Sequence, residues 1–222
     1  MTNRSDLRDR IIAAVGAHVV FDGWRVQSLD AAARDAGLES GAVERAFPNG
    51  VTEAITHYFD WGDRRMLAAL AGRDLGAMKI RERVGTGVRA RLAMFGDREV
   101  VRRTLSMLAA LPMHVRLGLQ ITYRTVDTLW HVAGDTTTDI NFYTKRLLLV
   151  GVYTATLLYW LDDASEDSAD THEFLERRLA NMAQLATLRQ AVEQKLNNLP
   201  SPLRLFRVSY GPRSYRGRGS SP

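Results

Sequence analysis

The chain has 222 residues, of which 45% are hydrophobic and 25% charged, the balance of a folded globular protein with one well-filled core rather than of a disordered one. It contains no cysteine, which excludes disulfide scaffolds, thiolate zinc sites, iron–sulfur clusters and cysteine nucleophiles. The net charge of +5 is local: Arg204, Arg207, Arg213, Arg216 and Arg218 supply all of it from a stretch without an acid, and residues 1–200 are neutral.

Taken in chain order, the apolar spacing is helical almost throughout, with no convincing alternating strand. Residues 1–9 are polar and read as neither a secretory signal nor a transit peptide. Ile11, Ile12, Val15, Val19 and Val20 form the stripe of a first helix ending near Asp22 and Gly23. Ser28 is placed to cap a second, short helix that Gly37 ends, and Ser40 to cap a third that Pro48-Asn49-Gly50 stops. Longer helices are expected over 51–71, 78–94, 98–111 and, from Pro112, to 133. After a break at 134–137 come a central helix over 139–161 and a last one over about 168–196. Beyond Asn197 the sequence turns to Pro, Gly, Ser and Arg and is expected to be mostly disordered. These elements predict an all-α protein with a helix-turn-helix-like module at 1–50, a helical domain at 51–198 and a disordered basic tail at 199–222.

The first three helices, ahead of a bundle, resemble the TetR family of repressors. Charge argues against a DNA reader there. Residues 1–50 carry six arginines against seven acids, and the reading helix offers Glu44 beside Arg45. A search for chemistry finds little. Gly85-Thr-Gly87-Val-Arg-Ala90 matches a dinucleotide-loop string but does not follow an apolar strand. No two of the five histidines are spaced as metal ligands, and His131 with Asp135 and Asp139 straddles a chain break. The expectation is a protein with no catalytic residue, no metal and no cofactor.

The central helix carries the most information. Its start places Asp139, Tyr143 and Arg146 on one face with Phe142 beside it, which fits either a partner-binding patch or an ordinary capped helix start with buried aromatics. Further on, Val150, Tyr153, Leu157 and Trp160 belong to a helix apolar nearly all round, which is either buried core or the lining of an apolar cavity. The uncharged run from Leu147 to Leu161 spans about 22 Å as a helix, short of the roughly 30 Å of a bilayer core.

Trp130-His131-x-Ala133-Gly134-Asp135-x-Thr137-Thr138-Asp139, Asn141-x-Tyr143-Thr144-Lys145-Arg146, Tyr159-Trp160-Leu161 and Asp170-Thr171-x-x-Phe174-Leu175-x-Arg177-Arg178 together resemble the Coq-nine family of ubiquinone-biosynthesis accessory proteins. The resemblance implies a homodimer with a TetR-like fold that has lost DNA reading. It also implies bound isoprenoid lipid or phospholipid, isoprenoid quinone intermediates as cargo, and a membrane-associated hydroxylase as partner. Carried onto this chain, the partner patch falls on Asp139, Phe142, Tyr143 and Arg146, with phenylalanine and Ile140 where the family usually has tryptophan and phenylalanine. The lipid-lining residues are expected to be Val150, Tyr153, Leu157 and Trp160. A membrane contact is expected at Leu203, Arg204, Phe206 and Arg207, with the protein peripheral to the inner membrane in a bacterial cytoplasm. The alternative function is a TetR-type repressor with a small apolar effector and no quinone role.

Overall fold

Helices with the predicted spacing make up a computed structural model that describes residues 3–134 and 140–197, the side chains of 140–142 and 185–197 apart. In chain order they are α1 (Arg4–Asp22), α2 (Val26–Asp35), α3 (Ala42–Ala46), α4 (Val51–Leu70), α5 (Ile80–Ala93), α6 (Arg98–Ala110), α7 (Pro112–Val132), α8 (Ile140–Asp162) and α9 (Ala169–Asn197). A 3-10 turn at Glu166–Ser168 leads into α9, and no strand occurs among the described residues. The chain divides into two compact units, residues 1–182 and 183–222; of the second, the described part is the end of α9. Residues 1–50 pack within the first unit, where α1 meets α4 and α6.

Local chemistry explains most of the boundaries. Pro112 opens α7 at a position where its missing N–H costs nothing. Asp97 caps α6 by accepting from the Glu99 amide at 2.7 Å. Gly37 and Gly50 take φ values of +64° and +73°, which end α2 and prepare α4. Two predicted caps are corrected. Ser28 lies inside α2, where its hydroxyl donates to the Gly23 carbonyl at 2.7 Å, and the cap position is Arg25. Gly41, in left-handed conformation, occupies the cap of α3 in place of Ser40. Ser28 thus lies three residues past the cap of its helix, and Ser40 one residue before the cap of its own.

Polar clamps hold α1 on α4. Arg8 pairs with Glu53, and Asp9 accepts from Arg64 Nη2 at 2.6 Å and lies 2.6 Å from His57 Nε2. Beneath them an aromatic chain runs through the core: Trp24 edge-on to Tyr58, then Phe59, Phe95 and Trp160, with neighbouring centroids 5.5–5.9 Å apart. The Trp24 indole donates to Thr104 at 2.7 Å, so it fastens the α1–α2 corner to α6. In α5 the glycines of the loop-like string serve packing: a Cβ at Gly87 would lie 2.7 Å from Leu129 of α7, and one at Gly85 3.3 Å from Leu179 of α9. Among the described residues, no helix is long and apolar enough to cross a membrane.

Candidate functional site

An apolar cavity of about 300 Å³ opens where α6, α7 and α8 meet over α4. Leu105, Leu108 and Ala109 form its α6 wall; Val115, Gly118, Leu119, Ile121, Thr122 and Thr125 its α7 wall; Tyr153, Thr154, Leu157 and Leu158 its α8 wall; Phe59 of α4 completes it. The rim is exposed at Leu119 (60%) and Leu158 (53%), while Phe59, Leu108, Ile121, Tyr153 and Leu157 are buried. Its size and lining suit an apolar group rather than a charged one.

Behind the inner wall lies a buried charged cluster that the sequence reading missed. Arg91 of α5 is fully buried; its Nε donates to Asp63 Oδ1 at 2.6 Å and its Nη2 to the Phe59 carbonyl at 3.2 Å. Its guanidinium also lies 4.1 Å from the Phe95 ring centroid. The Thr125 hydroxyl is shared between the Asp63 oxygens at 3.1 and 2.9 Å. Burial pushes the Asp63 carboxyl's pKa up, against the opposing pull of the Arg91 charge and of hydrogen bonds from Arg91 and Thr125. The cluster fits because position 62 is glycine: a Cβ there would fall 2.7 Å from Arg91 Nη1. Two polar atoms of this region, Arg91 Nη1 and the Tyr153 hydroxyl, are buried without a hydrogen-bond partner. Burial raises the Tyr153 phenol to about 12, with the Arg91 charge pulling down and the Asp63 charge adding to the rise. The signal for this cluster was an interruption of periodicity. Asp63 continues the stripe Ile55, Phe59, Met66, and Arg91 continues Val84, Val88, Leu92, and a charged residue on an apolar stripe demands a buried partner.

The predicted lipid-lining residues separate. Tyr153 and Leu157 line the cavity. Val150 is half-buried against the core, and Trp160 lies against Phe95 with the Arg98 guanidinium 5.0 Å from its centroid. Neither borders the cavity, because the cavity meets the α8 turns holding Tyr153 and Leu157, and one turn further on Trp160 faces α6 and Phe95. The predicted partner patch also separates. Tyr143 is 65% exposed. Arg146 is buried, with its Nε donating to Asp127 of α7 at 2.6 Å, so it is a correction to the expected surface face. Asp139 and the Phe142 side chain lie outside the described residues, as do Leu203, Arg204, Phe206 and Arg207. What α8 does present is a stripe of Tyr143, Leu147, Thr154 and Leu158, spaced in steps that keep them on one exposed face. The would-be reading helix α3 buries Ala42, Val43 and Ala46 and leaves Glu44 and Arg45 at the surface. No group of side chains fit to hold a metal ion occurs among the described residues.

Comparison with known proteins agrees with this architecture. The COQ9 family model matches residues 115–186, the stretch that forms two of the cavity's walls. The mitochondrial ubiquinone biosynthesis protein COQ9-B of Xenopus laevis is 30% identical over 209 residues, covering 87% of this chain and 71% of that protein. The human mitochondrial ubiquinone biosynthesis protein COQ9 is 31% identical over 188 residues, covering 80% of this chain but 58% of its own length. Among solved structures, a TetR transcriptional regulator from Nitrosomonas europaea superposes with a TM-score of 0.66 at 22% identity, covering 80% of this chain and 98% of that one. At that identity the likeness establishes a TetR-like all-α fold.

Proposed function

The chain belongs to the COQ9 family, and from that premise we propose that it is a non-catalytic, lipid-binding accessory protein of ubiquinone biosynthesis. It takes up isoprenoid quinone intermediates, or a phospholipid in their place, and presents them to a membrane-associated hydroxylase. The observation that carries the proposal is the apolar cavity of about 300 Å³ between α6, α7 and α8. A liquid-like group the size of water occupies roughly 30 Å³, so the cavity holds about ten such groups: a ring with its substituents, or two isoprene units. The rest of a polyprenyl chain leaves through the rim at Leu119 and Leu158. Each Å² of chain kept from water contributes about 25 cal/mol, which favours transfer out of water without any catalytic group. The exposed α8 stripe of Tyr143, Leu147, Thr154 and Leu158 supports a homodimer seam or a partner contact beside that rim.

Organic extraction and mass spectrometry of the purified protein test this. Isoprenoid or phospholipid is expected in near-stoichiometric amount from the wild type. Leu157→Arg puts a charge into the wall and is expected to lose it. Gly118→Leu fills the cavity without a charge: a Cβ there makes ordinary contacts at 3.7 Å with Leu108, so the fold is retained while lipid is lost. A folded Gly118→Leu protein carrying wild-type amounts of lipid would overturn the assignment of the cavity.

A further inference from the structure

Besides the α8 stripe, large apolar side chains left at the surface gather at a second place. Leu111, Met113, Val115, Leu119 and Tyr123 are all exposed, Met113 by 72%, and all fall at the α6–α7 corner or in the first half of α7. Exposed leucines scattered singly need no explanation, but a contiguous set marks a surface that meets something apolar. Val115, Leu119 and Tyr123 recur every fourth residue and so share one side of the helix. Val115 and Leu119 also line the cavity, so the cavity opens along this side. The charge of the stretch has one sign: from Val100 to Val126 there are four arginines and no acid. Arg102 and Arg103 are answered by Glu99 and Asp162, and Arg124 by Asp60 of α4. Arg116, exposed and three residues before Leu119, has no ion-pair partner among the described residues.

We propose that the α6–α7 corner and the outer side of α7 form a docking surface for an anionic lipid bilayer. Leu111, Met113, Val115 and Leu119 enter the boundary between headgroups and acyl chains, and Arg116 meets lipid phosphate or carboxylate there. An apolar helix side with a cation beside it is the pattern that holds a helix along an interface, about 5–10 Å deep. A second copy of the chain fits this surface less well. A two-fold contact centred on it would set Arg116 against its own copy, and the stretch offers no acid in answer. The surface uses none of Leu203, Arg204, Phe206 and Arg207, whose expected contact would add to it. The inference rests on the cavity being a lipid site, as proposed above, and adds where the cargo enters and leaves. With the corner among the headgroups, the rim at Leu119 meets the bilayer, and an apolar chain passes between the two without crossing water.

The chain has no cysteine, so Met113→Cys and, on α3, Glu44→Cys each carry a single environment-sensitive nitrobenzoxadiazole label. Full-length wild type and variants are titrated with phosphatidylcholine vesicles, with and without phosphatidylserine, and each purified protein is extracted for bound lipid. The label at position 113 is expected to shift to the blue and to be quenched by lipids brominated near the headgroup end of the acyl chain. The label at position 44 is expected to stay in water. Leu111→Ser/Met113→Ser, which leaves the cavity wall intact, is expected to melt as wild type does and to bind the mixed vesicles about tenfold less tightly. Arg116→Gln is expected to lose about fivefold on vesicles containing phosphatidylserine and nothing on phosphatidylcholine alone. A label at position 113 that stays in water, or vesicle binding unchanged in Leu111→Ser/Met113→Ser, overturns the docking surface and leaves lipid carriage standing. A dimer lost in that double variant while vesicle binding is kept assigns the surface to a second copy and overturns it as well. Lipid absent from the wild-type extract overturns the carrier reading and the inference with it.

Discussion

Removing one member of a buried ion pair strands the other charge where water cannot reach it. Arg91 and Asp63 are such a pair, with the side chains 0% and 9% exposed and 2.6 Å apart. Arg91→Met is therefore expected to lower stability by about 3–5 kcal/mol, measured by denaturant unfolding. The double variant Asp63→Leu/Arg91→Met removes both charges together and is expected to lose less than the single one. Asp163 illustrates the opposite balance. Burial raises its pKa, but hydrogen bonds from the side chains and backbone amides of Ser165 and Thr171 win and hold the carboxyl well below the usual carboxylate range. Because the folded-state value lies below the unfolded one, its contribution is present above about pH 4 and disappears as the pH falls toward the folded-state value. Asp163→Asn is expected to cost about 1–3 kcal/mol at neutral pH, since two donors lose their acceptor. Its stability should also fall less steeply than that of wild type below pH 4. A parallel acid limb in both proteins would contradict the assignment.

Among whole helices, α8 joins three roles on two sides, with Arg146 at the start of the buried one. Leu149, Tyr153, Leu157 and Trp160 bury one side, Arg146 ties its beginning to Asp127 of α7, and Tyr143, Leu147 and Leu158 remain exposed. The sequence shows that such a helix is apolar nearly all round, because hydrophobic period needs no knowledge of neighbours. For the same reason the bounds of α4, α6 and α7 and the end of α1 agree with the expected ones to within a residue or so. Tertiary placement is what the period does not encode. Whether Leu157 meets a void and Trp160 a stacked ring depends on where α6 and α7 cross α8, and the Ser28 and Ser40 caps failed because turn geometry decided them. Arg146 was assigned to a surface face because i, i+4 and i+7 spacing tells which residues share a face but not which way that face looks. The two residues now predict different behaviour. Tyr143→Ala is expected to change stability by less than about 0.5 kcal/mol while weakening binding of the proposed hydroxylase partner by more than about 1 kcal/mol. Arg146→Ala, which removes a buried donor from Asp127, is expected to destabilise the fold by about 1–3 kcal/mol. Denaturation and titration with the hydroxylase check both, and intact binding by Tyr143→Ala would remove the patch from α8.

For the whole molecule the decisive quantity is where charge sits. A TetR-like fold hosts function at its sites and does not by itself assign one. Here α3, the element such a fold would place in a DNA groove, has five residues and exposes one acid and one base. Residues 1–200 are neutral, and the five arginines of 201–222 carry the whole excess. Phosphate neutralisation supplies most non-specific DNA affinity and weakens steeply with salt, by about 0.9 in the log–log slope for each contact. Any duplex binding by the full chain is therefore expected to come from its last residues: weak, indifferent to sequence and lost at raised salt, with a slope no steeper than about −4.5. Removing residues 201–222 should abolish it and leave melting unchanged. Fluorescence anisotropy with duplexes from upstream of the protein's own gene and with scrambled duplexes, at two salt concentrations, checks this for both chains. Nanomolar binding that discriminates between the duplexes and persists in the shortened chain would place the reading surface in α2 and α3 after all. It would then favour an effector-controlled repressor, with the cavity between α6, α7 and α8 as its effector site.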